Sequence, residues 1–204
     1  MNFNKLLKTK TVIVAEIGNN HEGNLSVAKK LIDEAKDCGV DAVKFQTFLP
    51  EKFIYKKDKK RIKQIQKFQL SYEQFSYLSR YAKKKKLIFM STPFDIESAN
   101  FLNKIQNIFK VSSGDNNFYP LLSTIAHFNK TIILSTGLMK LSEIKKTVSF
   151  INKIWKKIKK NKKKLILLHC VSSYPVENKD ANIKSISYLK DKLKNNIIGY
   201  SDHT

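Results

Sequence analysis

Neither an export signal, nor a disulfide framework, nor a membrane span is expected from these 204 residues. Its two cysteines, Cys38 and Cys170, are too few and too far apart in 204 residues for a disulfide scaffold. The N-terminal "MNFNKLLKTK" has no apolar h-region, so the thiols point to a reducing cytoplasm. No apolar run in these 204 residues approaches the length of a membrane span. Glycine is scarce, and "EIGNNHEG" lacks the spacing of a dinucleotide-binding fingerprint. Arginine is rarer still: Arg61 and Arg80 are the only two among 39 basic residues. Nucleic-acid readout leans on arginine forks and interleaved aromatics. The net charge of +22 therefore argues for a nucleic-acid partner less strongly than its size suggests. Field strength alone supports that partner.

The lysines fall in runs: "YKKDKKRIKQIQK", "KKKK" at 83–86 and "KKIKKNKKK" at 156–164. These are expected in a loop or near helix C-termini, where they complement the macrodipole and stay solvated. The wealth of lysine, asparagine and isoleucine also matches the codon bias of an AT-rich genome. With 42% hydrophobic and 11% aromatic residues, the chain is globular and long enough for a sizeable core.

Short apolar, β-rich runs recur: "TVIVAEI", "DAVKFQTF", "LIFMSTPF", "FKVSSGD", "TIILSTG", "LILLHCV" and "NIIGYSD". Near-continuous apolar runs suit parallel strands covered on both faces. Helix-period segments separate them. In "LSVAKKLIDEAKDCG", Leu25, Ala28, Leu31, Ile32, Ala35 and Cys38 form one stripe that Gly39 ends. Ser71 and Gln74 have the spacing of a capping box, flanked by Leu70 and Phe75 as a hydrophobic staple. Ile144, Val148, Ile151, Trp155 and Ile158 share a face of a longer helix.

Nearly every strand run ends in polar residues. An open sheet concentrates these at one switch point, whereas a (β/α)8 barrel of the TIM type collects them from all its strand ends. The even distribution favours the α/β barrel, here incomplete, with seven of eight strands.

Lys44 and Lys110 are the only lysines embedded in apolar strand runs, where an ammonium must reach solvent or meet an anion. Thr92, Ser113, Ser135 and Ser201 are hydroxyl donors at neighbouring strand ends. Together they suit a small phosphorylated, carboxylated substrate, although any one hydroxyl could instead cap the next helix. Glu16 ends the first strand in an apolar setting. It suits general acid–base work or a structural ion pair with a lysine. Asp202 and His203 could meet a metal or substrate, but one histidine does not make a metal site. His21 orients its loop, His127 and His169 are structural or interior, and Cys170 is core packing.

The motifs "AEIGNNHEGNLSVAKKLIDEAK", "AVKFQTF", "STPFD", "SSGD", "LSTGL", "LLHCVSSYP" and "GYSDHT" together resemble the N-acetylneuraminate (sialic acid) synthase family, which includes legionaminate and pseudaminate synthases. That resemblance implies a (β/α)8 barrel followed by a small antifreeze-like domain. Residues 1–204 are expected to be the barrel part, lacking the eighth strand and the C-terminal domain. The implied reaction condenses phosphoenolpyruvate with an N-acetylmannosamine-type sugar to a nine-carbon 2-keto acid and phosphate, in surface-glycan biosynthesis. The implied cofactor is a divalent metal, manganese or magnesium, and the full-length protein is expected to be a homodimer. The alternative within enzymes is another phosphoenolpyruvate-condensing 3-deoxy sugar-acid synthase.

The resemblance assigns Lys44, Thr92, Lys110, Ser113, Ser135 and Ser201 to phosphoenolpyruvate. Gln46, Asp115 and Tyr174 fall on the sugar side, Glu16 on acid–base chemistry and His203 on one of two metal histidines. Two positions depart from the family: Asp115 replaces a usual Glu, and Ser172, at a substrate contact, replaces a frequent Asn. Because the second metal histidine lies on the eighth strand, residues 1–204 alone are expected to be inactive. Neither nucleic acid nor membrane is an expected partner. Binding of a DNA duplex, followed by fluorescence anisotropy, is expected to be absent at moderate salt. An affinity that falls steeply with salt would establish the nucleic-acid reading instead.

Overall fold

The computed structural model describes residues 3–158 and 164–204. They divide into two compact units, residues 1–106 and 107–204. In the first unit, helix α1 (Phe3–Thr9) precedes strand β1 (Val14–Gly18), and α2 (Leu25–Asp37) leads to β2 (Ala42–Thr47). Helices α3 (Pro50–Phe53), α4 (Lys59–Gln66) and α5 (Tyr72–Lys84) then lead to β3 (Ile88–Pro93) and α6 (Ile96–Leu102). The three strands form a parallel sheet in the order β1-β2-β3.

The second unit runs β4 (Ile108–Val111), α7 (Tyr119–His127), β5 (Thr131–Ser135), α8 (Leu141–Lys157), β6 (Leu165–Cys170), α9 (Ser185–Lys192) and β7 (Ile197–Ser201). A 3₁₀ turn spans Ser113–Asp115. The sheet is again parallel, in the order β4-β5-β6-β7. Parallel neighbours cannot be joined by a tight hairpin, so helices carry the chain back between them. The result is the α/β class expected from the alternation of segments, with all seven expected strands present. Among the described residues, no helix is long and apolar enough to cross a membrane.

Local signals place the helices. Asn24 starts α2, its side-chain oxygen accepting from the Ser26 and Val27 amides at 2.8 and 3.2 Å. Gly39, at φ +77°, ends it in the left-handed conformation that glycine tolerates best. Ala28, Ile32 and Ala35 are buried as expected. Cys38 is exposed, because it is the C-cap rather than a further member of the stripe. The capping box forms: Ser71 Oγ accepts from the Gln74 amide, and Gln74 Oε1 from the Ser71 amide. Leu70 and Phe75 are buried beside it. In α8, Ile144, Val148, Ile151 and Trp155 are buried, while Ile158, at the C-cap, is half-buried. Trp155 Nε1 donates to the Ala126 carbonyl of α7 at 3.0 Å.

The lysine runs behave in two ways. Lys83 and Lys84 occupy the last turn of α5, where the macrodipole favours cations. "YKKDKKRIKQIQK" is not a loop: its centre is α4, started by Asp58 accepting from the Arg61 amide at 2.9 Å. With only Ile62 buried, that helix offers little apolar periodicity among its lysines. The third run lies at the end of α8, and its residues 159–163 fall outside the described ones.

Sheet ladders join β1 to β3 and β4 to β7, but the seven strands form two sheets rather than one. At the edge of β3, the side chain of Gln106 takes the place of a neighbouring strand. The Ser91 amide donates to Gln106 Oε1 at 2.7 Å, and Gln106 Nε2 donates to the Ser91 carbonyl at 3.0 Å. Both residues are buried, so this primary amide satisfies a main-chain donor and acceptor that water does not reach. Gln106→Leu should leave both groups buried without partners and lower stability by about 2–4 kcal/mol. Urea unfolding measures this, and a loss within a few tenths of a kcal/mol would refute the structural role.

Candidate functional site

Strand alternation sorts the side chains of β2. Val43 and Phe45 are buried, and Phe45 packs against Phe89 and Phe75 at ring separations of 5.7 and 6.3 Å. Lys44 and Gln46, one residue out of phase, occupy the other face and are half-buried. The ladder sets Lys44 opposite Glu16 on one side and Met90 on the other, and Gln46 opposite Thr92. The Lys44 ammonium ion-pairs with Glu16 and also donates to Thr92 Oγ1 at 3.3 Å. Three of the sequence-selected residues thus meet in one cluster.

Glu16 differs from the expectation in two respects. It lies in the middle of β1 rather than at its end, and its side chain is 47% exposed rather than in an apolar setting. β1 lies at the edge of its sheet, with β2 as its one partner there. Of the two readings of Glu16, the ion pair with a lysine is present in the structure.

Gln46 brings in a residue that the sequence did not single out. Asn19 Nδ2, in the loop after β1, donates to Gln46 Oε1 at 2.9 Å. His21 in the same loop is fully buried, and its Nδ1 accepts from the Gly23 amide at 3.1 Å. Its neutral tautomer therefore carries the proton on Nε2, and burial lowers its pKa. That is the loop-orienting role read from the sequence.

In the second unit, Lys110 of β4 is 7% exposed, and its ammonium donates to Ser135 Oγ at the end of β5 at 2.7 Å. Phe109 and Val111, on either side in the strand, are buried among apolar residues. Ser113 opens the turn after β4, and its Oγ donates to Cys170 Sγ at 3.4 Å. Asp115 closes that turn and accepts from Ser112 Oγ at 2.5 Å. Burial raises the pKa of the Asp115 carboxyl, and the hydrogen bond from Ser112 opposes the rise. Cys170 is buried as expected, yet it also touches the site through Ser113, and its sulfur lies 4.0 Å from His203 Nδ1. Core packing is therefore an incomplete description of this residue.

The end of β7 forms a second cluster. His203 Nδ1 lies 2.9 Å from the Val171 carbonyl. A carbonyl only accepts, so Nδ1 carries the proton and Nε2 is the basic nitrogen, 3.3 Å from Ser201 Oγ. The Tyr174 ring stacks on His203 with 4.2 Å between centroids, although Tyr174 is 77% exposed. Asp202 is turned to its own chain end, accepting from Thr204, which lowers its pKa. Ser172 is exposed, like Tyr174, in the loop after β6. His169 donates from Nε2 to the Ala181 carbonyl at 2.8 Å and His127 from Nδ1 to the Ser123 carbonyl, as structural histidines. Among the described residues, no three or more His, Cys, Asp or Glu side chains group to hold a metal ion. His203 offers one nitrogen, which does not complete a site.

Comparison with known proteins gives the family of the chain. Residues 31–204 match the NeuB family. The chain is 41% identical over 209 residues to the N,N'-diacetyllegionaminic acid synthase of Campylobacter jejuni, covering 96% of this chain and 61% of that protein. It is 43% identical over 197 residues to an uncharacterized protein of Methanocaldococcus jannaschii, covering 95% of this chain and 56% of that one. The crystal structure of N-acetylneuraminic acid synthetase from Leptospira borgpetersenii, solved with citrate, superposes with a TM-score of 0.88 at 37% identity. That likeness covers 96% of this chain and 66% of the other. The chain thus spans less than two thirds of the length of the curated relatives it matches. A matching stretch of this extent, on a parallel α/β fold close to a sialic acid synthetase, places the chain in the NeuB family.

Proposed function

We propose that the chain is the phosphoenolpyruvate-binding barrel part of a synthase that joins phosphoenolpyruvate to an N-acetylated amino sugar. Carbon 3 of phosphoenolpyruvate would bond to the aldehyde carbon of the sugar, and water would add at carbon 2. Loss of phosphate from that tetrahedral carbon would leave a nine-carbon 2-keto sugar acid. The observation that carries this reading is Lys110, an ammonium buried within a strand and hydrogen-bonded to the Ser135 hydroxyl. Taking a charge out of water is costly, so a buried ammonium beside a hydroxyl is suited to a ligand with negative charge. Family membership supports phosphoenolpyruvate as that ligand, since named relatives are legionaminic and pseudaminic acid synthases.

In this reading Lys110, Ser113 and Ser135 bind the phosphate or carboxylate of phosphoenolpyruvate. Ser201 serves the same anionic groups, and Lys44 and Thr92 of the first unit are themselves an ammonium and a hydroxyl suited to an anion. Cations and hydroxyl donors set in place before reaction stabilise the charge on the tetrahedral intermediate without reorganising. Glu16, held by Lys44 and open to solvent, is the acid–base group in this reading. Gln46, Asp115, Ser172 and Tyr174 face the amino sugar, and their hydrogen-bonding groups would read its hydroxyls and amide. Residues 1–204 form one domain in this reading, completed in the whole protein by an eighth strand and an antifreeze-like domain. The whole protein would be a cytoplasmic homodimer.

A divalent cation, manganese or magnesium, would take His203 as one of its ligands through Nε2, the nitrogen left basic by Val171. Such an ion polarises a carbonyl oxygen. One imidazole does not complete its coordination, so the steps above rest on the side chains of this chain.

Two outcomes test the reading. Lys110→Met removes the charge while keeping most of the side-chain volume. Calorimetric titration with phosphoenolpyruvate should show affinity falling by about 10- to 100-fold. Thermal stability should hold or rise, because an apolar group replaces a buried charge. Equal affinity in the two proteins would remove Lys110 from the site.

The second test concerns Asp115. An acid whose folded pKa is raised lends stability that is fully present below its unfolded pKa and is lost as pH rises through the folded value. Ser112→Ala removes the one hydrogen bond that opposes the rise. Carbon-13 NMR should show the Asp115 carboxyl titrating at higher pH in the variant than in the parent. A midpoint that is unchanged or lower contradicts the opposing role of the Ser112 hydrogen bond.

A further inference from the structure

Asn116 is 3% exposed and was not among the residues selected from the sequence. It follows the turn Ser113–Asp115, and its side-chain amide points at the end of β5. Asn116 Nδ2 donates to the Gly137 carbonyl at 2.8 Å and to the Ser135 carbonyl at 3.3 Å. A primary amide has two N–H groups, so one side chain satisfies both main-chain acceptors. The main-chain carbonyl of Asn116 in turn accepts from Thr147 Oγ1 of α8 at 3.3 Å, and Thr147 is fully buried. One residue thereby ties the loop after β4 to the end of β5 and to the helix that follows it.

What these bonds hold together is the set of hydroxyls read as phosphate partners. Ser113 lies three residues before Asn116, and Ser135, the partner of Lys110, offers it a carbonyl. Gly137, whose carbonyl it also holds, leaves no spare room. A Cβ built there would come within 2.6 Å of both Ser113 Oγ and Ser172 Oγ. The hydroxyls of Ser113 and Ser172, from the loops after β4 and β6, thus stand where any side chain at Gly137 would have to go. We propose that Asn116 is a positioning residue that holds Ser113 and Ser135 where they meet the phosphate group. This rests on the reading of those serines as phosphoenolpyruvate ligands.

Two variants of the full 204-residue chain test the assignment by calorimetric titration with phosphoenolpyruvate, each melted in parallel. Asn116→Asp keeps the shape but turns a carboxylate oxygen toward the two carbonyls. Thr147→Val removes only the hydroxyl behind Asn116 and is the milder change. Affinity is expected to drop about tenfold or more for Asn116→Asp, since ångström-scale misplacement of binding groups has effects of this order. A severalfold drop is expected for Thr147→Val, in protein that still melts cooperatively. If Asn116 has a purely structural role, its substitution lowers the melting temperature and leaves the affinity of the folded protein unchanged, which overturns the proposal. If Asn116→Asp does not fold, Thr147→Val decides by the same criterion. If the parent chain fails to bind phosphoenolpyruvate, the proposed function falls and takes this assignment with it. A parent that binds while both folded variants match it removes the role of Asn116 alone.

Discussion

An ammonium group inside an apolar strand is the constraint around which the second unit is organised. Lys110 lies between Phe109 and Val111, both buried, and has to place its charge against oxygen. Ser135 supplies that oxygen because β5 is the hydrogen-bonded neighbour of β4 and ends there. The same logic operates in the first unit in a less buried form. Lys44 shares β2 with Phe45, and the pleat turns the aromatic ring into the core and the ammonium toward Glu16 and Thr92. In both units the apolar half of a strand builds the core and the polar half builds chemistry.

Side-chain amides do a parallel job for the backbone. Gln106 pairs with both main-chain groups of Ser91, and Asn116 with the carbonyls of Ser135 and Gly137. Each satisfies buried main-chain groups where regular ladder bonding stops. Such residues carry no charge and no catalytic group, so they leave little trace in a motif. They nonetheless set where strand ends and loops lie, and the candidate ligand residues stand on those strand ends.

Much of the fold was legible residue by residue. The seven apolar runs became the seven strands, Ser71 and Gln74 formed the capping box, and the α8 face buried four of the five residues its spacing selected. Helix α4 was hidden because eight residues with a single buried position leave almost no periodicity in a lysine-rich stretch. The selected site residues were placed in local clusters, Lys44 with Glu16 and Thr92, Lys110 with Ser135, and His203 with Ser201 and Tyr174. Asn19, Asn116 and the polar contacts of Cys170 were not legible, because their partners lie 27, 19 or more, and 33 or more residues away along the chain.

The sequence by itself determined the α/β class, the strand and helix order, and which polar side chains share a strand with the core. Periodicity and capping are local properties, readable within a turn of helix or a few residues of strand. Only the tertiary structure decided that Glu16 is exposed rather than buried, that the strands fall into two sheets, and which nitrogen of His203 is basic. Those outcomes depend on sheet edges and on the carbonyl of Val171. Distant segments supply both, and they meet a given side chain only when the chain is folded.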